Sequence, residues 1–274
     1  MAAAPRVEQT GDQDSRRGGA AAGPGVTAPS PAAYRAGLVL EVLARRSEPM
    51  PLTTLATELG LAKSSALNLL VSLEASGMVR RTAAGWVLGF KVLELSRAAL
   101  TSTEVVAEFQ RATAASRELV GETVVLAVLD GTDVVYVARH DGQQPVRYVN
   151  EIGTRNPAAV TALGRAMLAS LSDEELERRL GDGTEPLPVR TSRSLRNVDQ
   201  LRLDLDAVRE RGYAIDDEQG VPGIRCFSVP VGSPGTPTAV SVSFVADRLT
   251  PELETSVVAG LTRLAARLRR AEPS

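Results

Sequence analysis

Up to about residue 119 the large apolar residues of this chain recur every three or four positions, and from Glu122 the period falls to two over the next runs. A helix brings one face round every 3.6 residues and a strand every two, so the two periods in succession demand a helical part followed by a sheet-bearing part. With 274 residues there is room for about two domains at ~150 residues each. Ahead of the first period, residues 1–31 hold only Val7 and Val26 as larger aliphatics beyond Met1. So little apolar surface does not offset the entropy of ordering, and a disordered, solvated tail is expected there.

In the helical part, Tyr34, Leu38, Val42 and Leu43 mark a first helix, stopped by Glu48-Pro49-Met50-Pro51. A second helix follows with Thr53 or Thr54 as its expected N-cap and Leu55, Ala56 and Leu59 on one face. Gly60 allows a sharp turn. A third helix is expected over 62–76, with Ala66, Leu69, Leu70 and Leu73 inward and Gly77 as its stop. Two extended runs, 78–81 and 86–88, then read as a small hairpin.

Three helices and a hairpin in about sixty residues outline a winged helix-turn-helix over 32–94, its helix-turn-helix at about 52–71. The third helix should present Lys63, Ser64, Ser65, Leu67 and Asn68 to a major groove. Thr53 and Thr54 head the second helix, and Arg80 and Arg81 open the wing, where guanidinium groups reach phosphates. Residues 32–95 carry seven basic against five acidic side chains, although the whole chain has a net charge of −2. A basic module on a more acidic remainder fits nucleic acid at one end. The plainer alternative is a protein-interaction module of the same shape, with Arg80-Arg81 an ordinary charged edge.

Composition excludes several chemistries. One Cys and one His leave no disulfide framework, no multi-Cys zinc or iron–sulfur site and no usual zinc enzyme, so neither metal nor cofactor is expected. The same Cys usage, without a signal peptide, points to a reducing cytoplasm, with the nucleoid as the expected location of a DNA-binding protein. No run approaches the ~18 apolar residues of a membrane span. No GxGxxG, P-loop or HExxH occurs.

Between the two parts, Val105, Phe109, Ala112, Ser116 and Leu119 form a helical seam. It suits either a linker helix over 95–117, with Val92, Leu93 and Leu95 helping dimerisation, or a satellite core helix of the second domain; the linker is the reading taken. In the sheet part, 124–129 and 134–139 flank Asp130-Gly131-Thr132-Asp133 as a hairpin, and 146–149 is a further expected strand. Helices are expected over 161–171, from the capping box Ser172-Asp-Glu-Glu175, and from Asn197 to Gly212. Strands 224–231 and 238–246 and a last helix from Thr250-Pro251 close the chain. Antiparallel strands with helices set apart give an α+β domain over 118–272.

The segment Leu52-Thr-Thr-Leu-Ala-Thr-Glu-Leu-Gly-Leu-Ala-Lys-Ser-Ser65 resembles the helix-turn-helix of the IclR family of bacterial transcriptional regulators, as Arg81-Thr-Ala-Ala-Gly-Trp-Val-Leu-Gly89 resembles its wing. Thr161-Ala-Leu-Gly-Arg-Ala-Met-Leu-Ala169, Arg209-Glu-Arg-Gly-Tyr-Ala-Ile-Asp-Asp-Glu218, Gly-Glu-Thr123 and Val134-Val-Tyr-Val-Ala-Arg139 are similar to the family's effector-binding domain. The ordered set covers about residues 32–270. The resemblance implies a homodimer or homotetramer that binds a double-stranded operator and no membrane. It also implies a GAF-like second domain that takes a small carboxylate or aromatic metabolite, and a role as repressor or activator, not an enzyme. By motif, the effector pocket falls on Ala162, Leu163, Asp216, Cys226, Ser241 and Ser243. Backbone N–H groups at a helix start attract a carboxylate, and Ser241 and Ser243 share one face of their strand.

The chain departs from the family where Asn68 stands for a usual Arg and Leu67 for a more polar residue; Asn68 is able to read adenine. Arg165 replaces a usual Lys, a change expected to matter little. Asp216 would repel a bound carboxylate unless it meets a hydroxyl or one group is protonated, which keeps a neutral effector open. Taken alone, Cys226 is an ordinary core residue, Ser241 and Ser243 fit a solvent-facing strand equally well, and Asp216-Asp217-Glu218 is most simply a solvated turn. Cys226 and His140 are too far apart in sequence to suggest a catalytic pair. The reading is a metabolite-responsive DNA-binding regulator; the alternative is a sensor or cryptic hydrolase whose first module binds protein.

Overall fold

Residues 29–271 are described by a computed structural model, apart from 102–103, 117, 120, 145–147, 149, 182, 184–185 and 233–235. The expected tail therefore falls almost wholly outside the described residues, and so do three of the four residues of the strand expected at 146–149. The chain divides into two compact units near residue 102.

In the first unit, α1 (Pro31–Ala44) starts at Ser30, whose hydroxyl accepts from the Ala33 N–H, with proline in the first turn. Helices α2 (Leu52–Glu58) and α3 (Lys63–Ala75) follow, then β1 (Val79–Thr82) and β2 (Gly85–Leu88), paired antiparallel. Val39, Leu55, Ala66, Leu70, Val79 and Trp86 form the core. Met50 and Trp86 exchange backbone hydrogen bonds of 2.9 and 2.8 Å, tying the loop before α2 to the wing. Neither Thr53 nor Thr54 caps α2: Pro51 stands at the cap, its extended backbone needing no N–H there, and both threonines lie exposed inside the helix. Helix α4 (Lys91–Thr101) ends the unit.

The second unit is built on one six-stranded antiparallel sheet in the order β5-β4-β3-β8-β7-β6. Its strands are β3 (Val124–Asp130), β4 (Asp133–His140), β5 (Arg155–Pro157), β6 (Ala214–Asp217), β7 (Ile224–Pro230) and β8 (Thr238–Val245). Both faces are covered, which is why β3 reads Val-Val-Leu-Ala-Val-Leu instead of alternating with polar residues. Val125, Ala127 and Leu129 pack toward α6 (Ala162–Ala169), α7 (Asp173–Leu180) and α8 (Val198–Arg211). Val124 and Leu126 pack on the opposite side, toward α5 (Glu104–Ala114) and α9 (Pro251–Ala271). The seam residues Val105, Phe109 and Ala112 lie on α5 and are buried in that second layer with Leu119. The segment read as a linker thus supplies core side chains to the second unit, as the alternative reading had it.

The pairing of β3 with β4 shifts between Leu126 and Ala127: Leu126 faces Ala138, and Ala127 faces Tyr136. Val137 is the extra residue of a bulge, so Val134 and Tyr136 join one core and Ala138 the other. Caps are as expected at Ser172 and Asn197, whose side chains accept from Glu175 and Gln200 N–H, and at Gly212, which is left-handed; Thr161, expected inside its helix, caps it instead by accepting from the Gly164 N–H. No helix among the described residues is long and apolar enough to cross a membrane.

Candidate nucleic-acid interface and effector cleft

The turn from α2 to α3 is four residues long. Gly60 adopts φ +62°, and the Leu61 N–H bonds the Ala56 carbonyl at 2.8 Å, closing the turn. Helix α3 buries Ala66 and Leu70, with Leu69 and Leu73 half-buried, and leaves Lys63, Ser64, Ser65, Leu67 and Asn68 exposed on its other side. No side chain caps α3 at Ala62, so its first N–H groups remain available to an anion such as a phosphate.

Arg80 and Arg81 are exposed on β1, and neither guanidinium forms an ion pair among the described residues, although the Arg81 backbone N–H donates to Glu74 Oε1 at 3.3 Å. The Arg80 guanidinium lies 5.3 Å from the Phe90 ring centre and that of Arg81 lies 5.9 Å from Trp86. These rings hold the two cations without neutralising them. Replacing both with alanine is expected to weaken binding to all duplexes alike. It should also reduce the slope of log K against log salt by about 2, since each neutralised phosphate contributes nearly one unit to that slope. Fluorescence anisotropy at several salt concentrations measures this; an unchanged slope would remove the wing from the interface.

In the second unit, Ala162, Leu163, Asp216, Cys226, Ser241 and Ser243 all line one narrow cleft of about 450 Å³, its open mouth included. The α6 N-terminus forms one wall. Thr161 takes the Gly164 N–H at 3.0 Å, while the N–H groups of Ala162 and Leu163 have no acceptor among the described residues. The floor is the face of β7 and β8 on which Cys226, Ser241 and Ser243 lie. Ser241 is buried and donates to the Phe227 carbonyl at 2.8 Å, and the Ser243 hydroxyl sits 3.2 Å from Cys226 Sγ. These serines do not form a solvent face, because helices cover both sides of the sheet.

Asp216 is also buried, unlike a solvated turn. Its Oδ1 accepts from the Gln219 and Gly220 N–H groups at 2.7 and 3.1 Å. Burial raises its pKa, while Arg165 and those two N–H groups oppose the rise. Arg165 is fully buried; its Nη2 donates to the Ile215 carbonyl at 2.6 Å, its Nη1 to Gln219, and its Nε lies 3.2 Å from Asp204. A lysine has one head group and does not reproduce this fork, so the change at 165 matters more than its charge suggests.

Five further cleft residues carry polar groups that the sequence did not single out as site residues: Tyr136, Tyr148, Asn150, Asn156 and Arg190. The Arg190 Nη2 donates to Asn156 Oδ1 at 2.7 Å, and Asn156 Nδ2 donates to the Tyr136 hydroxyl at 3.3 Å. Ser194 fixes this loop: its hydroxyl accepts from the Arg190 and Thr191 N–H groups and donates to the Gln219 carbonyl at 2.7 Å. Arg190 has no carboxylate partner among the described residues. Burial raises the pKa of both tyrosines, which keeps them as hydroxyl donors. Tyr136 was legible as a lone ring among valines at an inward strand position; no periodicity marks Arg190.

Cys226 has its pKa pushed up to about 12, from an ordinary 9.0, first by burial and then by the Asp216 charge. Above pH 9 the unfolded chain releases this proton and the folded one keeps it, so stability falls between pH 9 and about 12. Urea unfolding at pH 8 and 10 should show a loss of about 1 kcal/mol in the native protein that is missing in Cys226→Ser. Equal losses in both would place the thiol in a more polar setting. The hydrogen-bonding neighbour of the thiol is Ser243 and not His140, so among the described residues no imidazole is placed to activate it.

The model of the IclR helix-turn-helix domain matches residues 32–83, and that of the C-terminal domain of bacterial IclR transcriptional regulators matches 97–270. The HTH-type transcriptional regulator KdgR of Escherichia coli (strain K12) is 30% identical over 195 residues, 70% of this chain and 73% of that protein. A crystal structure of an IclR transcriptional regulator from Alicyclobacillus acidocaldarius matches with a TM-score of 0.75 at 25% identity, covering 89% of this chain and 99% of that one. An IclR homolog from Microbacterium hydrocarbonoxydans, solved in complex with 4-hydroxybenzoate, shares the fold with a TM-score of 0.72 at 20% identity, over 88% and 98% of the two chains.

Proposed function

This chain belongs to the IclR family of bacterial transcriptional regulators, and from that premise we propose that a small organic acid occupies the cleft and thereby shifts the affinity of the protein for a double-stranded operator. DNA binding is assigned to 32–94 and effector binding to 118–272. The observation that carries the effector reading is the pairing, in one cleft, of the two unpartnered N–H groups at the start of α6 with the Arg190 guanidinium, which meets Asn156 but no carboxylate among the described residues. Together they offer positive potential and convergent donors to a carboxylate. Asp216 meets the other end of the ligand as an acceptor, which favours an acid that also bears a hydroxyl. The 4-hydroxybenzoate of the Microbacterium homolog is an acid of that kind and a suitable first probe.

The mechanism is a population shift: the effector prefers one arrangement of the DNA-binding units, and DNA prefers the same or the opposite one. The exposed apolar side chains Phe90, Leu93 and Leu95 support a homodimer or tetramer as the acting species, in the cytoplasm at the nucleoid. No catalytic role is assigned; the relatives are regulators, and the hydrogen-bonding neighbour of Cys226 is Ser243, not an imidazole. The test is anisotropy of the purified protein on duplex from its own upstream region against a scrambled duplex, at two salt concentrations, with and without candidate acids. Specific binding that falls steeply with salt and changes with one acid supports the proposal; no binding to any duplex at low salt favours the protein-binding sensor.

A further inference from the structure

We propose that α3 reads A·T base pairs, with the Asn68 carboxamide on an adenine edge and Leu67 and Val71 against thymine methyl groups. This rests on the reading of the first unit as a DNA-binding module. Residues 64, 67, 68 and 71 are spaced i, i+3, i+4, i+7 and so form one stripe, opposite the buried Ala66 and Leu70. On that stripe Leu67 is 38% exposed and Val71 51%. Branched aliphatics gain nothing from water, and their own core is already complete without them. In the major groove the apolar feature a base pair offers is the C5-methyl group of thymine.

The polar groups on the stripe agree. The Asn68 carboxamide has no hydrogen-bond partner among the described residues and presents the donor and acceptor that match adenine N7 and N6. Ser72 is turned back onto the Asn68 carbonyl at 2.8 Å and is not free to read a base. Residues 63–73 include no Asp or Glu to accept from cytosine N4 and no Arg to grip guanine, in a chain whose 31 cationic side chains are all Arg except Lys63 and Lys91. The cations Lys63, Arg80 and Arg81 flank the stripe in the sequence and suit the phosphates.

The test is selection of duplexes from a randomised pool by the full-length protein, followed by anisotropy on the enriched sequence. The expected half-site contains an A·T pair whose exchange for G·C weakens binding on the order of tenfold or more. Asn68→Arg should turn the preference at that pair toward G·C. Replacing thymine by uracil removes only the methyl group; it should weaken the native protein severalfold and leave the Leu67→Ala, Val71→Ala double variant unaffected. Both side chains are exposed, so the variant keeps its core. Enrichment of G·C at the contacted positions, or indifference of the native protein to uracil, overturns the proposal. Salt-dependent binding without base preference overturns it alone, whereas absence of binding at any salt overturns the regulator reading as well.

Discussion

Arg165→Met is expected to destabilise the second unit by about 3–5 kcal/mol, the usual consequence of removing one partner from a buried charge cluster. The guanidinium is wholly buried and holds three elements at once: α6 carries it, β6 receives it through the Ile215 carbonyl, and α8 receives it through Asp204. Methionine fills much of the volume but leaves the Ile215 carbonyl without this donor and Asp204 and Asp216 with less compensating charge. Gln219 loses its side-chain partner, and the turn whose N–H groups hold Asp216 loosens with it. Arg165→Lys keeps the charge without the fork and should fall between the two. Urea unfolding followed by circular dichroism gives the numbers; a loss below about 1 kcal/mol for Met would mean that the cluster does not hold these elements together.

Gly164→Ala is expected to be nearly as damaging, at about 3 kcal/mol. A Cβ at this position would overlap the carbonyl group and Cα of Ala158, all of it backbone. No side chain can rotate away, so α6 must lift from the 158–160 turn or the turn must move. Either shift displaces the Thr161 cap and the free N–H groups of Ala162 and Leu163. The midpoint of thermal unfolding should drop by roughly 10 °C, and binding of a small acid should weaken further than the loss of stability explains. A midpoint within a degree or two of the native protein would show that the helix sits farther from the turn.

The two-unit plan was legible because each period is imposed by a continuous core. Ala66 and Leu70 on α3, and Val134 and Tyr136 on β4, sit where their spacing places them. The six effector residues, carried over by resemblance, do meet in one cleft. What stayed hidden depends on contacts between distant segments. Thr53 and Thr54 have the chemistry of a cap, but Pro51 had already fixed the backbone that enters α2. Asp216 lies in an acidic triplet that reads as solvated; only the pairing of β6 with β7 and the Gly220 turn bury it. Arg190 comes from a stretch without periodicity, and its place is set by the hydroxyl of Ser194, four residues on, and by a carbonyl twenty-five residues beyond that.

The bulge at Val137 turns residue count into information. Before it, Val134 and Tyr136 face the cleft side; after it, Ala138 lies on the other side and Arg139 reaches back to the Asn150 carbonyl at the cleft. Gain of one residue between 134 and 139 would send everything downstream to the wrong layer, as would loss of one with the bulge kept. This strand can therefore drift freely in sequence, valine for isoleucine or alanine for glycine, while its length is held constant. In descendants of this chain, insertions and deletions should accumulate outside the strands, and the 133–140 interval should behave as a ruler.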